Sequence, residues 1–256
     1  MSDINYISSF DSTNLYAKIS LGESPIANLI VVHGLTEELD DYDEVTAFFN
    51  EYDFNVIRYD QRSHSNTSGI KELHERIDIL VEDLKAVVDY VKKQLTGEVF
   101  ILGHGVGGSI AAMFGIKHPD EVLGFVSCGG LSPTGQPLLR DDAGDESSNE
   151  EEDKGMESVQ KQRMIQNFRQ RLHEINIDYK QFTDRVLIMH GGDDKVVSSD
   201  DAIQFYKEAD TTHKSLRIYD GLNHELLNVT SYRGMLLSDI VNWLEFELSC
   251  IEQDNE

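Results

Sequence analysis

The chain opens on two short stretches, "INYISSF" and "NLYAKIS", that alternate imperfectly between apolar and polar residues around "DSTN". Period-two alternation on either side of a polar turn predicts an antiparallel hairpin. The next segments differ in kind. "ANLIVVHG" (27–34) is a continuous apolar run of strand length, and "FNVIRYD" (54–60) is a second buried stretch. A strand apolar at consecutive positions buries both faces, as in a parallel sheet covered by helices. "EVFILG", "EVLGFVSC", "RVLIMHG" and "KSLRIYD" supply four further strands. Between strands the period changes. Ile77, Leu80, Val81, Leu84, Val87, Val88, Val91 and Leu95 recur at three- and four-residue steps, which predicts an amphipathic helix. Shorter helices are expected at "DYDEVTAFFNEY", 106–117 and 199–209, with a closing helix over 231–248. Strands alternating with helices imply an α/β protein with a doubly wound, mostly parallel sheet.

One segment breaks this rhythm. From Leu131 to Phe182 no buried-strand run occurs. Its acidic part, "RDDAGDESSNEEEDKG" (140–155), offers little to bury and is expected to be a mobile loop. It leads into "MESVQKQRMIQNFRQRLHEI", a helix with Met156, Val159, Ile165, Phe168, Leu172 and Ile175 on one side. The expected organisation is a core from 1–132 and 183–256 with a small helical cap or lid inserted at 133–182. Such an insertion would lie over the C-terminal edge of the sheet, where these folds bind ligands.

Composition narrows the classes. At 256 residues, 39% hydrophobic, with a mean hydropathy of −0.38, the chain suits one soluble domain. No stretch approaches the roughly 20 apolar residues of a membrane helix, and "MSDINYISSFDSTN" lacks the features of a secretory signal. Cys128 and Cys250 fit two free thiols of a reducing cytoplasm, with no disulfide framework or zinc site. A net charge of −25 repels nucleic acid and anionic lipid, so no nucleic-acid partner is expected. No cofactor or metal is expected either.

The chemistry concentrates in "FILGHGVGGSIAAMFGIKHP" (100–119), an apolar strand that runs into a glycine-rich turn and a helix. Many hydrolases mount a nucleophilic serine on such a turn in the frame G-x-S-x-G. Here the frame reads Gly103-His104-Gly105-Val106-Gly107, with glycine in the middle. Together with "VVHGLTEELDDYDEV", "YDQRSHSNTSG", "VLIMHGGDDKVV" and "YDGLNHELLN", it makes nearly the whole chain resemble the α/β-hydrolase superfamily. Within it, the resemblance is to the monoacylglycerol lipase and lysophospholipase group, the serine aminopeptidase S33 or "hydrolase 4" type.

The resemblance implies an α/β-hydrolase fold and assigns roles. Gly105 holds the nucleophile position. The backbone amides of Leu35 and Val106 would form an oxyanion hole, which stabilises the negative oxygen of a tetrahedral intermediate. Asp194, rather than its neighbour Asp193, would orient His224 as the base. The order 105, 194, 224 matches the family's nucleophile, acid and histidine. His104 reads as packing, and His74, His118, His173 and His213 as surface residues without partners. Two features depart from the pattern. Glycine can neither attack a carbonyl nor form an acyl-enzyme, and Ser63 and Ser65 stand where relatives carry glycines. Ser109 and Cys128 are the alternative nucleophiles to weigh, although Ser109 should point into helix packing and Cys128 should be a small buried hydrophobe.

The implied function is a carboxylic ester hydrolase of the lysophospholipase or monoacylglycerol lipase type, acting through an acyl-enzyme in its serine form. With Gly105 it is inactive for acyl transfer, and its ligand is a small ester or lipid-like molecule. The alternative is a non-catalytic protein of this fold that binds a small apolar ligand or a protein partner.

Overall fold

The opening alternation forms the expected hairpin, β1 (Asp3–Ser8) antiparallel to β2 (Asn14–Ser20). The structure, a computed structural model, describes residues 3–62, 64–67, 76–132, 163, 166–175 and 177–254. β2 also runs antiparallel to β4 (Phe54–Tyr59), and every later pairing is parallel. Adding β3 (Ala27–Val32), β5 (Val99–His104), β6 (Gly124–Cys128), β7 (Val186–Gly191) and β8 (Lys214–Tyr219) gives the order β1-β2-β4-β3-β5-β6-β7-β8.

The continuous apolar runs are explained by two cores, one on each face of the sheet. Leu29, Val31, Phe100 and Leu102 face α1 (Asp43–Glu51) and α6 (Thr230–Asp254). Ile30, Val32 and Ile101 face α2 (Ile77–Gln94), α3 (Val106–Lys117) and α5 (Ser199–Glu208). Successive side chains of a strand point to opposite faces, so strands covered on both must be apolar throughout. β8, at the edge of the sheet, is only half-buried along its length. Two elements differ from the sequence reading. β6 begins at Gly124, because the chain first turns through Asp120 (φ 62°) and bends over 121–123. α6 continues to Asp254, with no glycine or proline after Gly234 to stop it.

Part of the segment 133–182 is described. Residues 166–174 form a helix, α4, whose Phe168 and Leu172 are buried as the apolar stripe predicts. Ile175 does not belong to that stripe: the helix stops before it, and it is 40% exposed. The acidic stretch 140–155 and Met156, Val159 and Ile165 lie outside the described residues. α4 is anchored by Arg169, whose guanidinium donates to Asp201 on α5 (2.6 Å) and to the Ser132 carbonyl (3.2 Å). Phe168, Leu172, Tyr179 and Phe182 all join the same hydrophobic core as Phe125. Phe182 sits between Phe125 (5.4 Å) and Phe205 (5.1 Å), and Tyr179 stacks on Phe205.

Candidate active site

Strand β5 ends at His104 and α3 begins at Val106, so Gly105 alone turns the chain. It does so at φ 53° and ψ −119°, a conformation that favours glycine. The flanking glycines answer a different need. A Cβ on Gly103 would lie 2.3 Å from the Gly107 carbonyl oxygen, and one on Gly107 would lie 2.1 Å from the Val32 carbonyl oxygen. Backbones approach so closely there that neither position has space for a side chain. Gly107→Ala is expected to destabilise the fold by about 3 kcal/mol or more, read as a lowered unfolding midpoint in denaturant. Gly105 is unlike both. A Cβ there would meet nothing closer than His224 Nε2, at 3.4 Å. There is room for a side chain, and it would point at the histidine.

His224 lies in the loop between β8 and α6, and its Nδ1 is 2.8 Å from Asp194 Oδ2. A carboxylate only accepts, so Nδ1 carries a proton, and in the neutral ring Nε2 presents its lone pair on the side of Gly105. Asp194 follows β7 and is fully engaged. Its Oδ1 accepts from the Val196 and Val197 amides (2.7 and 2.9 Å), and its Oδ2 also lies 3.1 Å from His190 Nε2. Burial alone would raise its pKa, but the donors His190 and His224 outweigh it and hold the carboxyl well below the usual range. Asp193 is exposed, and its amide bonds to the Leu222 carbonyl. Of the two adjacent acids, Asp194 is the one that reaches His224.

The loop carrying Leu35 is fixed through its neighbours. His33 Nε2 accepts from the Gln61 amide (3.0 Å), which leaves Nδ1–H to donate to the Gly34 carbonyl (2.8 Å). Burial lowers the His33 pKa to about 4, in keeping with a neutral ring. His64 Nε2 donates to the Leu35 carbonyl (2.8 Å), and the Gly34 amide donates to Glu37 Oε2 (2.6 Å). The "DQRSHSN" turn thus holds this loop. Ser65 adopts a left-handed φ of 37°, whereas Ser63 lies outside the described residues. Leu35, Val106, Gly105 and His224 line one cavity of about 20 Å³, together with Thr36, His104, Leu131 and Val197.

His104 corrects the sequence reading, in which it was packing. Its Nδ1 lies 2.9 Å from Glu37 Oε1 and its Nε2 is 3.0 Å from the His224 carbonyl oxygen. Both partners are acceptors, so both ring nitrogens donate and the ring is an imidazolium. Glu37 also accepts from Tyr42 Oη (2.7 Å) and Asn228 Nδ2 (3.2 Å). Burial opposes the charge on His104, but the adjacent Glu37 carboxylate raises its pKa to about 9. Glu37 is in turn held well below the usual carboxylate range: burial would raise it, and His104 and the other donors prevail. One ion pair therefore joins the Leu35 loop, the turn that leads into α1 at Tyr42, the strand before Gly105 and the His224 loop.

Other residues fall as follows. Ser109 Oγ exchanges hydrogen bonds with the Leu131 backbone inside the helix packing. Cys128 is fully buried, and burial pushes its thiol up to about 12. Neither lines the cavity. His213 and His118 are not without partners: Arg185 lies 3.1 Å from His213 Nδ1, and the His118 ring is tilted against Phe114 with its Nε2 3.7 Å from Glu82; His173 is exposed, and His74 lies outside the described residues. Glu37, His190, Gln61 and His64 are the supporting residues that sequence reasoning missed. Glu37 follows His33-Gly34 by only three residues, but Glu38 beside it gives no way to tell them apart. Among the described residues, no group of three or more His, Cys, Asp or Glu could hold a metal, and no helix is long and apolar enough to cross a membrane.

Comparison with known proteins gives the family of the chain and its likeness of fold. The profile of the serine aminopeptidase S33 family (Hydrolase_4) matches residues 23–140 and 135–230. An uncharacterized abhydrolase domain-containing protein of Dictyostelium discoideum is 24% identical over 250 residues, covering 86% of this chain and 26% of that protein. Human monoglyceride lipase is 30% identical over 104 residues, covering 40% of this chain and 34% of that protein. The chain thus spans about a quarter to a third of the length of these relatives. Among solved structures, a soluble variant of monoglyceride lipase from Saccharomyces cerevisiae, in complex with a substrate analog, superposes with a TM-score of 0.74. It is 16% identical and covers 96% of this chain and 95% of that one, a likeness of fold.

Proposed function

The chain belongs to the serine aminopeptidase S33 family of α/β-hydrolases, and from that premise we propose that its pocket is the acyl site of a carboxylic ester hydrolase whose nucleophile position is held by Gly105. One observation carries the reading. The place a side chain would take at 105 lies 3.4 Å from Nε2 of His224, whose Nδ1 is 2.8 Å from a buried, ionised Asp194. In the serine form, Oγ attacks the ester carbonyl while His224 takes its proton. Asp194 stabilises the imidazolium, and the Leu35 and Val106 amides hold the oxyanion. With Gly105 no acyl-enzyme forms.

The substrate is a small ester or lipid-like molecule of the monoacylglycerol or lysophospholipid type; the names of the relatives support the monoacylglycerol half of that reading. Two unbridged thiols, Cys128 and Cys250, and a net charge of −25 support a cytoplasmic setting. A second reading draws on Gly105 itself, which turns the elbow without strain and offers no nucleophile: the pocket binds an apolar ligand or a protein partner without acyl chemistry. Assay of Gly105→Ser on monoacylglycerols and lysophospholipids of graded chain length separates the two. Hydrolysis with a chain-length optimum supports the first. A folded serine variant that binds these lipids and leaves them intact favours the second.

A further inference from the structure

With no side chain at 105, the space before His224 is open to a water molecule, and we propose that the chain as it stands hydrolyses activated acyl compounds directly, with that water as nucleophile and His224 as its general base. The inference rests on the ester-hydrolase reading of the pocket and extends it to the glycine form. The shared cavity of about 20 Å³ exceeds the roughly 10–15 Å³ that one water needs. His224 Nε2 presents a lone pair to it, because Nδ1–H is committed to Asp194. A water bonded to Nε2 has no covalent tether to the backbone. It must also keep van der Waals distance from the Gly105 Cα, so it sits farther into the cavity than a serine oxygen would.

The remaining machinery suits this step as well as the covalent one. Asp194 is buried and fully hydrogen-bonded, so it can stabilise an imidazolium without moving. The ion pair of His104 and Glu37 grips the His224 carbonyl, which fixes the loop that carries the ring. The reaction balances without any other reagent. The water oxygen bonds to the carbonyl carbon as its proton passes to Nε2, and the carbonyl electron pair moves onto oxygen at the Leu35 and Val106 amides. Collapse of that intermediate breaks the bond to the leaving group, which takes the proton back from His224. The products are a carboxylic acid and an alcohol or thiol. Without an acyl-enzyme to divide the barrier, the route favours compounds with good leaving groups, namely aryl esters and thioesters.

The competing explanation for any activity is the oxyanion amides acting alone, which do not need His224. Saturable hydrolysis of 4-nitrophenyl acetate at neutral pH is measured for the wild type, His224→Gln and Asp194→Asn, with Gly105→Ser as reference. The wild type should exceed buffer, show no burst of nitrophenol and slow in D₂O, and His224→Gln should lose about 10²-fold. A wild-type rate equal to buffer overturns the proposal, as does a rate that His224→Gln leaves unchanged. Should His224→Gln fail to fold, a wild-type rate indifferent to D₂O overturns it instead. An active Gly105→Ser beside a histidine-independent wild type refutes this inference alone, whereas an inert, folded Gly105→Ser refutes the ester-hydrolase reading beneath it.

Discussion

Gly105→Ser is expected to raise turnover of a short-chain aryl ester by at least about 10²-fold over the wild type. The reason is mechanistic: an oxygen held by the backbone makes acylation intramolecular, and an acyl-enzyme splits one difficult step into two easier ones. The gain should depend on the acid. Adding Asp194→Asn to the serine variant should reduce turnover by about 10³–10⁴-fold, because an asparagine cannot hold His224 in the tautomer that leaves Nε2 free. The serine also carries a conformational penalty. At φ 53° a residue with a side chain is strained, so the variant should be less stable than the wild type by about 1–3 kcal/mol. Steady-state kinetics and denaturant unfolding of the three proteins check both effects. A serine variant that gains stability, or whose turnover ignores Asp194→Asn, would contradict the geometry described above.

The second large effect concerns Glu37 and His104. Glu37→Gln keeps the shape of the side chain but removes the charge opposite a buried imidazolium. Breaking one side of such a pair costs about 3–5 kcal/mol, and the loss should appear in unfolding at pH 6–7. The pH dependence follows from the direction of each shift. His104 is raised from 6.5 to about 9, so its contribution is complete below pH 6.5 and disappears as pH rises through about 9. Glu37 is depressed from 4.5, so its contribution is present above that value and is lost on descent into acid. Wild-type stability should therefore decline between pH 6.5 and 9, and Glu37→Gln should flatten that slope. Parallel curves for the two proteins over this range would mean that the imidazolium is not formed.

Much of the framework was readable from residue patterns because it depends on burial. Continuous apolar runs such as "ANLIVV" have few alternatives to strands covered on both faces, and the stripe from Ile77 to Val91 has few alternatives to a helix against them. The choice of Asp194 over Asp193 was legible only through the family's spacing, since both follow the same strand; the structure shows Asp194 with four donors and Asp193 in solvent. The Glu37–His104 pair was not legible. It joins residues 67 positions apart, and nothing local distinguishes Glu37 from the many other acids of this chain. His190 was missed for a related reason, as its only signal is that it precedes the glycine of "MHGG". Ile175 was misplaced because helical periodicity says which residues share a face and not where the helix ends.

The central claim is that this pocket lacks a nucleophilic side chain and little else. The most direct test is intact-protein mass spectrometry after exposure to a fluorophosphonate, which phosphonylates a serine only when a base and an oxyanion site activate it. Gly105→Ser should take one adduct, mapped by peptide analysis to the substituted position, while the wild type and Gly105→Ser combined with His224→Gln should take none. A folded serine variant that stays unlabelled, or one labelled equally well without His224, would contradict the account.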